Sequence, residues 1–195
     1  NGFKSFAEKA DFLIEDGLTG IVGPNGCGKS NIVESLRWAM GETSAKSMRG
    51  SGMEDVIFSG TSNKASKNIA EVTIEVENKD KEGPIQYREH DQVQIKRKIE
   101  KDKGSKFYIN GKEVRARDAQ MFFADLSTGA HSPSMISQGR IGALVTAKPT
   151  DRRAILEEAA GISGLHVRRH EAELRLGAAE NNLKRADELR RQQEK

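Results

Sequence analysis

The stretch Gly23-Pro24-Asn25-Gly26-Cys27-Gly28-Lys29-Ser30 decides how the rest of the chain is interpreted. It matches the pattern of a phosphate-binding loop at every fixed position. An apolar approach at residues 18–22 precedes it, and residues 30–40 continue it with the spacing of a helix. The full match and its flanks disfavour the alternative, a chance glycine-rich turn between a strand and a helix. The stretch therefore predicts binding of a nucleoside triphosphate.

The residue types in this loop fit the chemistry of a bound phosphate. Glycines let successive backbone N–H groups turn toward phosphate oxygens, and the following helix adds the positive end of its dipole. Lys29 is expected to reach the β and γ phosphates, and the Ser30 hydroxyl to complete the shell of a Mg²⁺ ion. A nucleoside triphosphate with Mg²⁺ is thus a predicted ligand pair, and the resemblance described below implies that the nucleotide is ATP.

Composition limits the remaining possibilities. The 195 residues allow one domain with an appendage, and 35% hydrophobic against 31% charged residues is low for a self-contained globule. Part of the chain is therefore expected to be extended or to need a partner. The net charge of +3 permits contact with nucleic acid without requiring it. Cys27 is the only cysteine, which excludes an internal disulfide and suits a reducing compartment.

No stretch approaches the roughly 20 apolar residues that are needed to cross a bilayer. No signal-peptide pattern opens the chain either. We therefore expect a cytosolic protein, or a piece of one, with no membrane partner.

Hydrophobic alternation predicts the strands. Short strands are expected at residues 2–6 and 12–14, with a turn at Asp16-Gly17 before the strand that leads into the loop. The first helix should end at Gly41, which suits a left-handed cap. Antiparallel strands follow at residues 69–77, 92–100 and 106–114, the last folded into a hairpin at Asn110-Gly111. In the second of these, the alternating set is Val93, Ile95, Arg97 and Ile99.

The last part of the chain is predicted to be mostly helical. Residues 116–124 form a short helix, residues 125–149 are a long loop of functional character, and Thr150 caps a helix that ends at Gly161. Gly164 is expected to interrupt the helical structure a second time. Beyond it, apolar residues recur at alternating spacings that are compatible with a heptad. This pattern favours either a solvated helix or the first heptads of a coiled coil. The apolar positions are Leu165, Ala172, Leu176, Ala179, Leu183 and Ala186.

Five motifs in this order resemble the N-terminal half of the ATPase head of the structural maintenance of chromosomes (SMC) family, in particular its bacterial chromosome-partition members. They are Gly2-Phe3-Lys4-Ser5-Phe6, residues 23–31, Met48-Arg49-Gly50, residues 137–141 and residues 157–162. Residues 125–137 depart from the family's usual form because they lack an aromatic residue before Gln138. The resemblance implies an α/β fold: an ABC-type phosphate-loop NTPase half-head with an antiparallel β subdomain over residues 1–163, and the start of a coiled-coil arm at residues 164–195.

The resemblance also implies roles for residues outside the loop. Gln138 would reach the Mg²⁺ and the attacking water, and Arg49 would meet phosphate or couple DNA to hydrolysis. Lys4 and Ser5 would lie beside the phosphates, and Asn31 would support the loop from the helix. On their residue types alone, Gln138 is a solvated loop amide and Arg49 a surface charge.

Two parts of an ATPase site are not found in the sequence. No strand-like apolar run ends in Asp-Glu, and no Leu-Ser-Gly-Gly signature occurs. The resemblance places both in the C-terminal half of the head, with the signature acting from a second head across a homodimer. It further implies double-stranded DNA and kleisin-type accessory subunits as partners, in chromosome condensation and segregation. We expect the lone chain to bind nucleotide weakly and not to hydrolyse it.

Several alternatives remain open beside this resemblance. They are a related coiled-coil DNA-repair ATPase of the ABC type, a self-contained phosphate-loop kinase, and a coiled-coil module with a vestigial site, which the intact Lys29-Ser30 pair disfavours. A regulatory GTPase is disfavoured because its D-x-x-G pattern at residues 80–83 follows no apolar strand. Basic residues in the middle of the chain indicate either a DNA surface or a charged sheet edge. These are Lys64, Lys67, Lys96, Arg97, Lys98, Lys101, Lys103 and Lys106, with Arg168-Arg169 near the arm.

Overall fold

The computed structural model describes residues 1–78, 81, 84–126, 134–137, 142, 145–160 and 163–193. The main elements of these residues include four α-helices and four strands, together with three short 3₁₀ helices. The helices are α1 (Lys29–Ala39), α2 (Ala116–Asp125), α3 (Pro149–Ala159) and α4 (Ser163–Gln193). The strands are β1 (Ile69–Glu77), β2 (Gln92–Glu100), β3 (Gly104–Ile109) and β4 (Lys112–Val114). No helix within these ranges is long and apolar enough to span a membrane.

The strands form one antiparallel sheet in the order β1-β2-β3-β4. The predicted strands at residues 69–77 and 92–100 are confirmed at both ends. Asn110 and Gly111 join β3 to β4 with φ of 48° and 78°, the left-handed values that a tight hairpin turn needs. The predicted hairpin is therefore confirmed, as is the short helix that follows it.

The inward face of the sheet packs against α1 and α2 in two apolar clusters. Because α1 lies on this face, the sheet supports the helix that follows the phosphate-binding loop. The first cluster comprises Phe3, Trp38, Met48, Val56, Ile57, Ala70 and Ile99. The second comprises Met40, Val93, Ile95, Ile109, Phe122 and Phe123.

Arg97 belongs to this buried face. Only 3% of the residue is exposed, so its predicted inward position is confirmed, whereas its assignment to a basic surface is wrong. Its Nη1 donates to the carbonyl oxygens of Trp38 and Glu42, both at 2.7 Å, and its Nε donates to Ser105 Oγ at 2.8 Å. The guanidinium lies 4.5 Å from the Trp38 ring and 4.6 Å from the Phe107 ring. Arg97 thus binds one carbonyl in the last turn of α1 and one just beyond the helix.

The predicted end of the first helix at Gly41 is also confirmed. Gly41 has φ of 106°, and its N–H donates to the Trp38 carbonyl at 3.1 Å. The Glu42 N–H donates to the Arg37 carbonyl at 3.1 Å. This pair of bonds is a Schellman motif, which requires the left-handed residue that glycine supplies most easily.

The strand predictions before the loop are wrong. Residues 7–15 and 18–24 have no regular secondary structure, and Leu18 is 96% exposed. In the stretch 2–6, Phe3 forms isolated bridges to Phe6 and Ile57 instead of a strand. A strand needs a neighbour for its N–H and C=O groups, and in the described part of the chain residues 12–14 and 18–22 have no paired strand beside them. Asp16-Gly17 is nevertheless a bend, with Gly17 at φ of 86°.

Two helix boundaries also differ from the prediction. Pro149 opens α3, so Thr150 lies inside the helix and not at its cap. Proline is favoured at the first helical position, where its missing N–H has no intrahelical partner to lose. Gly164 lies in the first turn of α4 and does not break it, since a glycine in a helix costs only about 1 kcal/mol.

Helix α4 confirms the predicted terminal helix. Its apolar positions are exposed to solvent where they are described. Leu176 and Leu183 are both exposed, and Arg169 pairs with Glu173 at 2.8 Å along the helix. α4 also contacts α2 and α3. The coiled coil and the boundary between residues 163 and 164 stay predictions.

Candidate nucleotide-binding site

The phosphate-binding loop ends directly on the N terminus of α1. Gly28 is the N-cap residue, with φ of 93° and ψ of 8°. A Cβ atom on Gly28 would come within 2.8 Å of Ser5 Oγ, so both the backbone conformation and the space require glycine here. The Asn31 N–H donates to the Gly28 carbonyl at 2.9 Å and fixes the first turn.

Lys29 is the first residue of α1, and the loop folds around its ammonium group. Its Nζ donates to the carbonyl oxygens of Gly23, at 2.6 Å, and of Pro24, and it lies 3.8 Å from Cys27 Sγ. The loop residues Pro24, Asn25, Gly26 and Cys27 are exposed, as is Ser30. No acidic residue lies in the first turn of α1. A lysine charge and a helix N terminus therefore meet at an exposed loop, a donor set that fits phosphate.

A chain of hydrogen bonds joins the loop to two distant segments. Asn31 Nδ2 donates to Ser5 Oγ at 2.8 Å, and Arg49 Nη2 donates to Asn31 Oδ1 at 3.0 Å. Residues 5, 31 and 49, which the sequence assigned to the site only by resemblance, thus lie in one network beside Gly28. Lys4 joins the same network.

Glu34 is the centre of this network, and sequence reasoning missed it. Its Oε2 lies 2.5 Å from Lys4 Nζ, and its Oε1 lies 2.5 Å from Arg49 Nε. Glu34 follows Asn31 by one helical turn and precedes the buried Trp38 by another. A carboxylate on the inward face of the helix after a phosphate-binding loop was the signal that could have found it.

The turn after Arg49 is held by Asp55. Asp55 Oδ2 accepts the N–H groups of Ser51, at 2.7 Å, and Gly52, at 2.9 Å, and also the Ser51 hydroxyl. These hydrogen bonds, the Gly52 N–H first, lower the pKa of Asp55. Its charged carboxylate therefore stabilises the segment that carries Arg49.

Gln138, the residue predicted to reach Mg²⁺ and water, lies outside the described residues. Within the described ranges no group of three or more His, Cys, Asp and Glu side chains could hold a metal ion. Ser30, exposed at the start of α1, is the described residue assigned to Mg²⁺. Its role stays a prediction.

The predicted basic surface is partly neutralised by acidic neighbours. On the outer face of the sheet, Lys96 pairs with Glu71 at 3.7 Å and Lys106 pairs with Glu113 at 3.0 Å. Two further pairs join Lys103 to Glu100 at 2.7 Å and Lys64 to Glu8 at 2.6 Å. Lys98 stands directly opposite Lys106 in the register and is half-buried. With Arg97 buried, the surface is less positive than its sequence indicates.

The sequence model of the RecF/RecN/SMC N terminal domain matches residues 1–140. The chain belongs to this family. It is 57% identical over 189 residues to the chromosome partition protein Smc of Rhodopseudomonas palustris, a match that covers 97% of this chain and 16% of the relative. The chain thus spans about a sixth of the length of such relatives.

Solved SMC heads share the fold. A Smc head domain with an extended coiled coil from Pyrococcus furiosus, bound to the C-terminal domain of ScpA, has a TM-score of 0.73 at 33% identity. The match covers 96% of this chain and 47% of that one. Another solved structure comes from work on the ATP-driven dimerisation and DNA-stimulated activation of SMC ATPases. It has a TM-score of 0.70 at 32% identity, and the match covers 81% of this chain and 94% of that one. The SMC resemblance and the predicted head fold are confirmed.

Proposed function

We propose that this chain is the ATP-binding half of an SMC head. ATP bound at residues 23–30 would draw two heads together, and the C-terminal half of the head would complete the site for hydrolysis. The cycle would drive chromosome condensation and segregation on DNA. The observation that carries the proposal is the loop folded around Lys29 at the open N terminus of α1, in a chain whose relatives are chromosome partition proteins.

Each of the predicted site residues would have a distinct role. Loop N–H groups from Gly23 to Gly28 and the Lys29 ammonium would bind the phosphates, and Ser30 with Gln138 would hold Mg²⁺, which offsets phosphate charge. Lys29 and Arg49 would stabilise charge on the transferred phosphoryl group, with Gln138 beside the attacking water. Ser5 and Asn31 would keep the loop and Arg49 in register through their hydrogen bonds.

Partners follow from the relatives' descriptions. The Pyrococcus furiosus head is bound to ScpA, and another related structure concerns dimerisation and stimulation by DNA. We propose a homodimer of heads, a kleisin-type accessory subunit, and double-stranded DNA as partners, in the cytoplasm on the nucleoid. The lysines on the outer face and turns of the sheet, among them the exposed Lys101 and the half-buried Lys98, would contact DNA phosphates without sequence preference.

Mixing the two halves of the head tests the proposal. ATP binding and turnover are measured for this chain alone and after addition of a separately expressed C-terminal head half, with Lys29→Ala as the inactive variant. We expect turnover only in the mixture, and at least a tenfold loss with Lys29→Ala. Lys112→Ala, which removes an exposed lysine on β4, is the matched control and should retain activity.

Turnover by the lone chain at the rate of the mixture would contradict the proposal. The catalytic carboxylate would then lie within these 195 residues, and a self-contained phosphate-loop enzyme such as a kinase would replace the split head.

A further inference from the structure

Glu34 lies at the centre of the nucleotide site but belongs to no phosphate-binding motif. It stands on α1, and only 10% of its side chain is exposed. Each carboxylate oxygen takes a different cation, Oε2 the ammonium of Lys4 and Oε1 the Nε of Arg49. A nearly buried carboxylate between two cations is stable only while both partners stay in place, because a buried charge without a partner is costly.

The two cations come from different segments, and both hold unusual backbone conformations. Lys4 has φ of 44° and Arg49 has φ of 53°, values that residues with a side chain rarely adopt. Such conformations persist where surrounding contacts fix them. Lys4 Nζ also donates to the Met48 carbonyl, and the Lys4 N–H donates to the Val56 carbonyl at 2.7 Å. Lys4 therefore connects the Arg49 segment to α1, because its ammonium group contacts both the Met48 carbonyl and Glu34.

The contacts of Arg49 leave part of its guanidinium available. Nε is taken by Glu34 and Nη2 by Asn31 Oδ1, so one edge of the planar group is held against α1. A guanidinium has five N–H donors in a fixed fork, and these contacts do not use all of them. The Arg49 side chain is 58% exposed, and Asn31 and Ser5 connect it to Gly28 of the phosphate-binding loop.

We infer that Glu34 is a positioning residue of the nucleotide site. Its carboxylate holds Arg49 by one edge and keeps Lys4 against the same segment, so that the remaining donors of Arg49 are presented to the phosphates. Without the negative charge, Lys4 and Arg49 would repel each other and the Arg49 segment would leave α1. This inference rests on the proposed function for its catalytic consequence, but its structural consequence can be measured without nucleotide.

Hydrogen exchange in the nucleotide-free, full-length protein tests the structural consequence. The N–H groups of Met48, Arg49 and Gly50 donate to carbonyls of residues 44–46, so exchange of peptides over residues 44–52 reports on this segment. We expect Glu34→Gln to speed exchange there by at least about fivefold, as local opening becomes more frequent. Glu75→Gln is the matched control, since Glu75 lies exposed on β1 and accepts a hydrogen bond from Gln94.

The conservative variant Glu34→Asp keeps the charge on a shorter side chain and is expected to exchange at an intermediate rate. It also keeps the test valid if Glu34→Gln fails to fold, because the segment can then be read from the aspartate variant. Exchange of residues 44–52 at the wild-type rate in every folded Glu34 variant would overturn the inference.

Turnover kinetics test the catalytic consequence. We expect Glu34→Gln to lower kcat about tenfold while KM for ATP changes by less than about threefold. In an Arg49→Ala background the same substitution should change kcat by less than about twofold, because Glu34 acts through Arg49. A simple loss of stability would instead lower activity by the same factor in both backgrounds, and that result overturns the inference. If the wild-type protein shows no turnover, the proposed function fails, and the exchange measurement still decides the role of Glu34.

Discussion

Arg97 anchors the far end of the helix that carries Lys29. Its guanidinium lies between two aromatic rings and binds the Trp38 carbonyl in the last turn of α1 and the Glu42 carbonyl just beyond it. A cation at a helix C terminus also interacts favourably with the helix dipole. Burial lowers the pKa of Arg97 to about 10, and the nearby Glu42 carboxylate opposes that shift. The side chain therefore stays protonated at neutral pH, and one buried cation connects the sheet to the nucleotide-binding helix.

Replacing Arg97 with methionine should destabilise the protein. The new side chain keeps much of the volume but removes the Arg97 donors from the Trp38 and Glu42 carbonyls, at an expected cost of about 2–3 kcal/mol in the free energy of unfolding. Lys98→Met, one residue along on the half-exposed outer face, should cost less than about 0.5 kcal/mol. Urea denaturation of both variants measures the difference, and equal free energies of unfolding would show that Arg97 does not anchor α1.

The difference is also expected to be constant between pH 6 and pH 8. Where folding lowers the pKa of a cationic side chain, the free energy of unfolding rises only as the pH rises through the folded-state pKa. For Arg97 that pKa is about 10. Neutral pH lies well below this range, so the charge state of Arg97 does not change there. The urea comparison can therefore be made at any pH in this window.

At the scale of single residues, the sequence predicts a site residue only where a motif or an exact spacing fixes its place. Lys29 and Ser30 follow from the loop pattern alone. Glu34 does not, because its role depends on Lys4 and Arg49, which only the folded chain brings to it. Arg97 shows the opposite case, since alternation along β2 placed it inward although its charge indicated a surface.

Among the secondary-structure elements, those closed by local turns were predictable and those that need distant partners were not. The strands β1 and β2 alternate cleanly, and the Asn110-Gly111 turn fixes the hairpin that follows. Residues 12–14 and 18–22 carry equally apolar patterns but lie outside the described sheet. A hydrophobic pattern indicates that a segment can pair, whereas pairing itself depends on a neighbouring strand.

The Schellman motif at the end of α1 gives a test at this scale. Gly41→Ala should lower the free energy of unfolding by at least about 1 kcal/mol, because φ of 106° is strained for alanine. The added Cβ would also approach Gln120 Cγ to 2.4 Å and disturb the hydrogen bond from Gln120 Nε2 to the Gly41 carbonyl. Thermal unfolding followed by circular dichroism measures the change.

Gly177→Ala is the matched control for this substitution. Gly177 lies in the interior of α4, where an added Cβ meets no atom within 4 Å, so alanine should raise helix stability by about 1 kcal/mol. The two glycine substitutions are thus expected to have opposite signs. A neutral or stabilising Gly41→Ala would mean that the cap does not determine where α1 ends.

At the scale of the whole molecule, one stretch of the described residues, before the phosphate-binding loop, carries several exposed apolar side chains. Phe12, Leu13, Ile14, Leu18 and Val22 are all more than half exposed. Where exposed apolar side chains form a contiguous patch, they mark an interaction site in soluble proteins. An interaction site in this stretch is consistent with the low hydrophobic content of the chain. It is also consistent with the chain's matching only 16% of the length of its relatives.

A triple substitution, Leu13→Gln, Leu18→Gln and Val22→Thr, separates the two roles that this stretch could have. If it only stabilised this chain, the substitutions would lower the free energy of unfolding. Because the three side chains are exposed, we expect the free energy of unfolding to change by less than about 0.5 kcal/mol. Binding of a fluorescent apolar dye should fall, and association with the separately expressed C-terminal head half should weaken at least tenfold, because apolar area that the partner would cover has been removed. Unchanged association, with an unchanged free energy of unfolding, would show that the stretch is not the surface on which the two halves of the head meet.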